Sequence, residues 1–109
     1  MRADKRDHIR LKLSVPVEIQ PEGARSPMRA QTSDLSESGF YVEMLFTLDV
    51  GTQLDITLQL GEATVPARGE VATCDRTVGN GIHFTRMLAE DREVLKRFIE
   101  IAEGNPAGA

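Results

Sequence analysis

Residues 53–73, the stretch that decides the fold, read QLDITLQLGEATVPARGEVAT. Leucine and isoleucine alternate with polar residues from Gln53 to Leu60, and small or apolar residues alternate again from Ala63 to Thr73. A period of two indicates a strand with one buried face, and the Gly61-Glu62 pair between the two runs suits a tight turn. The sequence therefore predicts a β-hairpin at the centre of the chain.

Four more strands are expected, three before this hairpin and one after it. The preceding residues predict strands over 11–19, 28–33 and 40–46, with a polar turn over 34–39, and the following residues predict a short strand over 81–84. Pro16 cannot donate to a sheet hydrogen bond, so it predicts an edge strand, a bulge or an amide position that faces away from a partner. Six short strands predict a small antiparallel barrel or sandwich.

The end of the chain has a different period. Apolar residues recur at spacings of three and four between Ala89 and Glu103, and acidic residues fill the first turn, where the helix dipole favours them. This pattern predicts one amphipathic helix that ends at Gly104 and covers an end or a side of the barrel. We expect a flexible basic arm over residues 1–10, a single domain over 11–103 and a disordered tail over 104–109.

Composition and charge limit the possible functions. A chain of 109 residues with a formal net charge of −4 suits one domain and disfavours a general affinity for duplex nucleic acid. A single cysteine excludes an intrachain disulfide, and neither a signal peptide nor a membrane-spanning stretch is visible. We therefore expect a soluble cytoplasmic protein with no membrane insertion.

The charge is unevenly distributed. Residues 2–12 hold five bases and two acids, which gives a local charge of +3 and leaves −7 for the remainder. Such a segment can be a solvated tail, or it can attract a compact anion although the whole chain is acidic.

Catalytic and metal-binding motifs are missing from the sequence. Neither His8 nor His83 has other ligands at metal-binding spacing, and Cys74 has no histidine near it in sequence. Phosphate-binding loops at helix starts and nucleophile elbows are also absent. We expect no catalysis, no cofactor and no metal. The net acidity and the few aromatic residues likewise disfavour a nucleic-acid binder. An enzyme assembled from distant residues or a nucleic-acid binder is thus the weakest of the alternatives.

Two polar clusters carry possible binding chemistry. Arg6 and Arg10 lie four residues apart before the first strand, and Asp34, Ser36 and Gly39 lie in the turn between the second and third strands. Arginine can hold a phosphate or the edge of a guanine through two parallel hydrogen bonds. A carboxylate can accept hydrogen bonds from the Watson-Crick edge of guanine, and serine can donate to a phosphate. Glycine permits a positive φ or a close approach of the backbone to a ligand.

The two motifs differ in how often they are expected to occur by chance. Composition alone predicts about one pair of arginines at this spacing, and Arg25 with Arg29 forms a second pair. The pattern [DN]xSxxG is expected by chance only about 0.03 times in this chain. Its structural alternative is a turn in which Asp34 and Ser36 bind local backbone amides.

Together the two clusters resemble the motifs of the PilZ domain, the bacterial receptor module for cyclic di-GMP. That family pairs an RxxxR motif before the first strand with a [DN]xSxxG motif, on a six-stranded antiparallel β-barrel with a C-terminal α-helix. Arg6 and Arg10 match the first motif, and residues 34–39 match the second. Residues 79–84 resemble the last strand of the family, so the resemblance covers nearly the whole chain. The Arg25 and Arg29 pair lies too close to Asp34 to serve as the first motif.

The resemblance implies a cyclic di-GMP receptor or adaptor without catalysis. The implied ligand-binding residues are Lys5, Arg6, Arg10, Asp34, Ser36 and Gly39. Binding is expected to order the arm and to alter the surface seen by an unidentified downstream effector protein, in motility or biofilm regulation. Lys5 stands where many members carry arginine, so a single ligand and an intercalated pair both stay open.

The alternative is a PilZ-like protein-protein interaction module that binds no nucleotide. In either case we expect a monomer or a weak dimer.

Overall fold

The alternation of apolar and polar residues produces six strands and one helix in the computed structural model, which describes residues 10–104. The strands are β1 (Pro16–Pro21), β2 (Met28–Leu35), β3 (Gly39–Glu43), β4 (Gln53–Leu60), β5 (Ala63–Asp75) and β6 (Gly79–Arg86). The helix is α1 (Ala89–Gly104). The predicted arm before residue 10 and the tail after residue 104 lie outside the described residues, so the division into arm, domain and tail stays a prediction.

The six strands form a closed antiparallel barrel in the order β1-β2-β3-β6-β5-β4, with β4 paired back to β1. Inward side chains from every strand fill its interior, and nine of them are Val17, Ile19, Leu35, Phe40, Val42, Leu54, Leu58, Val65 and Ile82. The central hairpin pairs β4 with β5 from Gln53 to Leu60, and its turn contains Gly61 at a φ of 66°. The predicted six-stranded barrel with a C-terminal helix is confirmed.

The helix covers one side of the barrel. Among the strands it packs chiefly against β5, and its buried residues are Leu95 and Ile99. Glu90 and Asp91 occupy its first turn, as predicted. No helix within residues 10–104 has the length and apolar character needed to cross a membrane.

The first strand begins at Pro16, whereas the prediction began at residue 11. More buried and more exposed residues nevertheless alternate from residue 11 onward. Residues 11–15 run beside β2 through separate contacts: the amide of Thr32 donates to the carbonyl of Val15 over 3.0 Å, and the hydroxyl of Thr32 accepts from the amide of Val15 over 3.0 Å. Pro16 begins β1, a position where its missing N–H is tolerated. Because β1 pairs with both β2 and β4, the edge-strand interpretation of Pro16 is wrong.

The third strand ends at Glu43 rather than at Phe46. Its pairing with β6 stops at the Glu43–Gly79 pair, since β6 itself begins there. In the loop that follows, Leu45 is 70% and Phe46 82% exposed, whereas Met44 and Leu48 pack against the core.

A buried amide fixes the loop that follows β3. The side chain of Asn80 is fully buried, accepts from the amide of Leu48 over 2.8 Å and donates to the carbonyl of Leu48 over 2.9 Å. It also donates to the carbonyl of Thr73 over 3.1 Å. The Asn80 side chain thus gives the backbone of Leu48 the hydrogen bonds that a neighbouring strand would otherwise supply.

Candidate functional site

Two backbone hydrogen bonds bring the start of the described chain to the end of β2. The amide of Leu11 donates to the carbonyl of Leu35 over 3.0 Å, and the amide of Leu35 donates to the carbonyl of Leu11 over 2.9 Å. The preceding residue, Arg10, therefore lies beside Asp34, and its Nη1 donates to Asp34 Oδ1. Residues 24 positions apart in the two predicted motifs meet at one point on the barrel surface.

Asp34 is held by the neighbouring strand as well. It lies in β2, not in the turn as predicted, and it pairs directly with Tyr41 of β3. The amide of Tyr41 donates to Asp34 Oδ1 over 3.1 Å. The side chain keeps 29% of its surface exposed, so the carboxylate is a positioned acceptor at the surface.

Ser36 builds the turn between β2 and β3. It is fully buried, and its hydroxyl oxygen accepts from the amide of Ser38 over 3.1 Å and from the amide of Gly39 over 3.2 Å. The amide of Ser36 donates in return to the carbonyl of Gly39 over 2.9 Å. This is the local turn that the sequence offered as the structural alternative, and a direct contact between Ser36 and a ligand stays a prediction.

Gly39 is required by the neighbouring strand. A Cβ atom at this position would lie 2.1 Å from the carbonyl oxygen of Ile82 and 2.8 Å from the Cα of His83. Gly39 does not have a positive φ, and the close approach that requires a glycine here is that of β6. The predicted close approach of a ligand to this backbone stays a prediction.

Tyr41 extends the polar surface beyond Asp34. Its hydroxyl donates to Asp75 Oδ2 over 2.8 Å, and this hydrogen bond is the main reason why the pKa of Tyr41 is raised to about 12. Its ring lies against Gly79 and Gly81, because Cβ atoms on those glycines would fall 2.8 Å and 3.8 Å from ring carbons. Sequence reasoning missed Tyr41, although its place between the inward residues Phe40 and Val42 indicates an outward aromatic side chain.

The same outer face carries an acid and a histidine next to the turn. His83 pairs with Gly39 on one side and with Glu70 on the other, and its Nε2 lies 3.8 Å from Glu70 Oε1. Its side chain is 50% exposed.

Two predicted site residues cannot be placed. Lys5 and Arg6 lie outside the described residues, so their contacts with a ligand stay predictions. Among residues 10–104, no group of three or more histidine, cysteine, aspartate or glutamate side chains has an arrangement that could hold a metal ion.

A comparison with protein-family models matches residues 4–100 to the PilZ domain. The chain belongs to the PilZ family. The resemblance predicted from the paired arginine and DxSxxG motifs is thereby confirmed. A comparison with curated proteins finds no significant match.

Solved structures share the fold of this PilZ domain. The inhibitor of motility MotI/DgrA from Bacillus subtilis aligns with a TM-score of 0.77 at 17% identity, over 97% of this chain and 53% of that one. This PilZ domain therefore spans about half the length of MotI/DgrA.

Two isolated PilZ domains align over most of both chains. The PilZ domain of CeSA from a cellulose-synthesizing bacterium gives a TM-score of 0.70 at 18% identity, over 87% of this chain and 98% of that one. The PilZ domain of YcgR from Escherichia coli, solved with c-di-GMP, gives 0.73 at 15% identity, over 89% and 90%. Because the sequence identities are this low, the comparison with these structures shows a shared fold alone.

Proposed function

We propose that this PilZ domain is a cyclic di-GMP receptor that acts as an adaptor, without catalysis. The observation that carries the proposal is the contact between Arg10 and Asp34, which the Leu11–Leu35 bridge creates. The guanidinium of Arg10 offers parallel N–H donors, and the carboxylate of Asp34 offers acceptors at the same exposed point. Together they suit a ligand that has phosphates and guanine edges. The YcgR domain solved with c-di-GMP supports the same ligand class.

The residues would have different roles in binding. Arg10 would hold a phosphate or a guanine edge, with Arg6 and Lys5 adding positive charge from the arm. Asp34 would accept hydrogen bonds from the Watson-Crick donors of a guanine. Ser36 and Gly39 would act mainly by holding the turn that follows Asp34.

Ligand binding would have to open the ion pair between Arg10 and Asp34. The two side chains are 49% and 29% exposed, and exposed pairs contribute at most about 1 kcal/mol. Opening the pair therefore requires less free energy than the roughly 1–3 kcal/mol of a bidentate arginine–guanine contact. We propose that this exchange orders the arm and changes the surface seen by a downstream protein.

Calorimetric titration of the full chain with cyclic di-GMP tests this function. We expect binding, with weaker or no binding of GMP and of cyclic di-AMP, and we expect Asp34→Ala to reduce the preference for guanine. The absence of heat at micromolar protein would contradict the proposal.

Two arginine variants test the site. Arg10→Ala is expected to weaken binding by roughly 5- to 150-fold, the equivalent of about 1–3 kcal/mol. Arg29→Ala is a matched control, because Arg29 is also a surface arginine in an ion pair, 3.1 Å from Glu18. Equal losses in the two variants would show that the wrong arginine pair has been assigned.

The second candidate function is a protein-protein interaction module that binds no nucleotide. The observation that favours it is the exposure of large apolar side chains at Leu45, Phe46 and Val50. The calorimetric titration separates the two candidates, since only the receptor binds cyclic di-GMP. Cytoplasmic location and a monomeric or weakly dimeric state stay predictions from the sequence.

A further inference from the structure

A partly exposed aromatic side chain, that of Tyr41, lies next to Asp34 of the candidate site. We propose that Tyr41 forms part of the ligand site by stacking a guanine base of cyclic di-GMP on the exposed part of its ring. The inference rests on the proposed function and adds a residue outside the two sequence motifs.

Strand register places the ring beside Asp34. Asp34 and Tyr41 are direct partners in β2 and β3, so their side chains leave the same face of the sheet with Cβ atoms about 4.5–5.5 Å apart. Tyr41 is in turn the partner of Gly81 in β6. The neighbours of Tyr41 in β3, Phe40 and Val42, are fully buried in the core, which confirms that this row lies on the outside.

The ring lies against the strand beside it. A Cβ on Gly79 would be 2.8 Å from the ring carbon Cε2, and a Cβ on Gly81 would be 3.8 Å from Cδ1. These carbons are at opposite corners of the ring, so the ring spans both glycines. The ring is thus held between β6 and Asp75, which accepts from the hydroxyl over 2.8 Å, and the side chain stays partly exposed.

This arrangement suits a base that is bound by its face and its edge together. A purine stacked on the exposed part of the ring would have an edge within reach of β2, which neighbours β3 at about 4.8 Å. Asp34 lies on that strand and can accept from the edge of the same guanine. Stacking on an aromatic side chain contributes about 1–3 kcal/mol per base, and a ring that is already fixed loses little freedom on binding.

The fluorescence of the chain offers a direct test. Tyr41 is the single tyrosine and there is no tryptophan, so the tyrosine emission comes from this residue alone. We expect cyclic di-GMP to quench that emission, after correction for ligand absorbance with free tyrosine amide, at the same midpoint as the calorimetric heat. Heat without a change in emission would overturn the proposal and leave the proposed function standing.

Substitutions separate stacking from simple coverage of the two glycines. Tyr41→Phe keeps the ring and should bind within about threefold of the wild type, whereas Tyr41→Leu should bind roughly 5- to 150-fold more weakly. Phe46→Leu is the matched control, since it removes an aromatic ring that is 82% exposed in a loop. Unchanged affinity in a folded Tyr41→Leu protein would overturn the proposal whatever the emission shows. If Tyr41→Leu does not fold, the wild-type quenching decides.

Absence of heat in the wild type would end both proposals. Heat combined with unchanged affinity in Tyr41→Leu would end only this one.

Discussion

Replacement of Gly39 by alanine tests how closely β3 and β6 approach beside the candidate site. The added Cβ would lie 2.1 Å from the carbonyl oxygen of Ile82, where an ordinary contact needs 3.4 Å or more. Both strands are fixed by pairing on their other sides, so the strands would have to move apart by more than 1 Å. Overpacking of this kind costs about 1–3 kcal/mol, and a weakened backbone hydrogen bond adds about 0.5–1.5 kcal/mol. We expect a loss of about 2–4 kcal/mol in the free energy of unfolding.

Urea unfolding followed by circular dichroism measures this loss. With an m-value of about 1.3 kcal/mol/M, the midpoint of Gly39→Ala should fall by about 1.5–3 M urea. Gly104→Ala is the control, because a Cβ at the end of α1 meets nothing within 4 Å, and its effect should stay below about 1 kcal/mol. A Gly39→Ala midpoint within about 0.3 M of the wild type would refute the assignment of this glycine to the strand contact.

Three further predictions concern side chains that act through neighbours. Asn80→Ala should lower stability by about 2–4 kcal/mol and speed the hydrogen exchange of the Leu48 amide, because the three hydrogen bonds of a buried side chain are lost. Slow exchange at Leu48 in the variant would contradict this. Ser36→Ala should cost about 1–2 kcal/mol of stability but change ligand affinity less than threefold, whereas a tenfold loss in a folded protein would assign the hydroxyl to the ligand. In Asp75→Ala, a spectrophotometric titration should show the pKa of Tyr41 falling from about 12 toward its ordinary value of about 10. Because the folded-state pKa is raised, the associated stability is present below pH 10 and is lost as the pH rises through about 12, and identical titrations of the two proteins would exclude Asp75 as the cause.

The individual strands and the helix could be predicted from the sequence, because each produces its own local pattern of apolar and polar residues. The alternation over residues 53–60 predicted β4 correctly, and the spacing of apolar residues predicted α1. The predicted end of β3, at Phe46, was wrong because the strand ends where its partner β6 begins, at Gly79. A pattern within one segment carries no information on where its neighbour in the sheet begins.

The candidate site was predictable only in part for the same reason. The sequence motifs indicated Arg10 and Asp34, and the structure brings the two into contact. The position of Tyr41 beside Asp34 follows from the register between two strands, and the anchoring of its hydroxyl by Asp75 joins residues 34 positions apart. The burial of Ser36 likewise depends on the whole turn.

The closed barrel also restricts how a downstream protein can recognise this domain. Each of the six strands in residues 10–104 is hydrogen-bonded to two neighbours. A partner that adds its own strand to a sheet needs a free edge, and a closed barrel removes edges. A protein partner would therefore have to recognise side chains instead of main-chain groups, and its affinity would depend on a few surface residues that single substitutions can map.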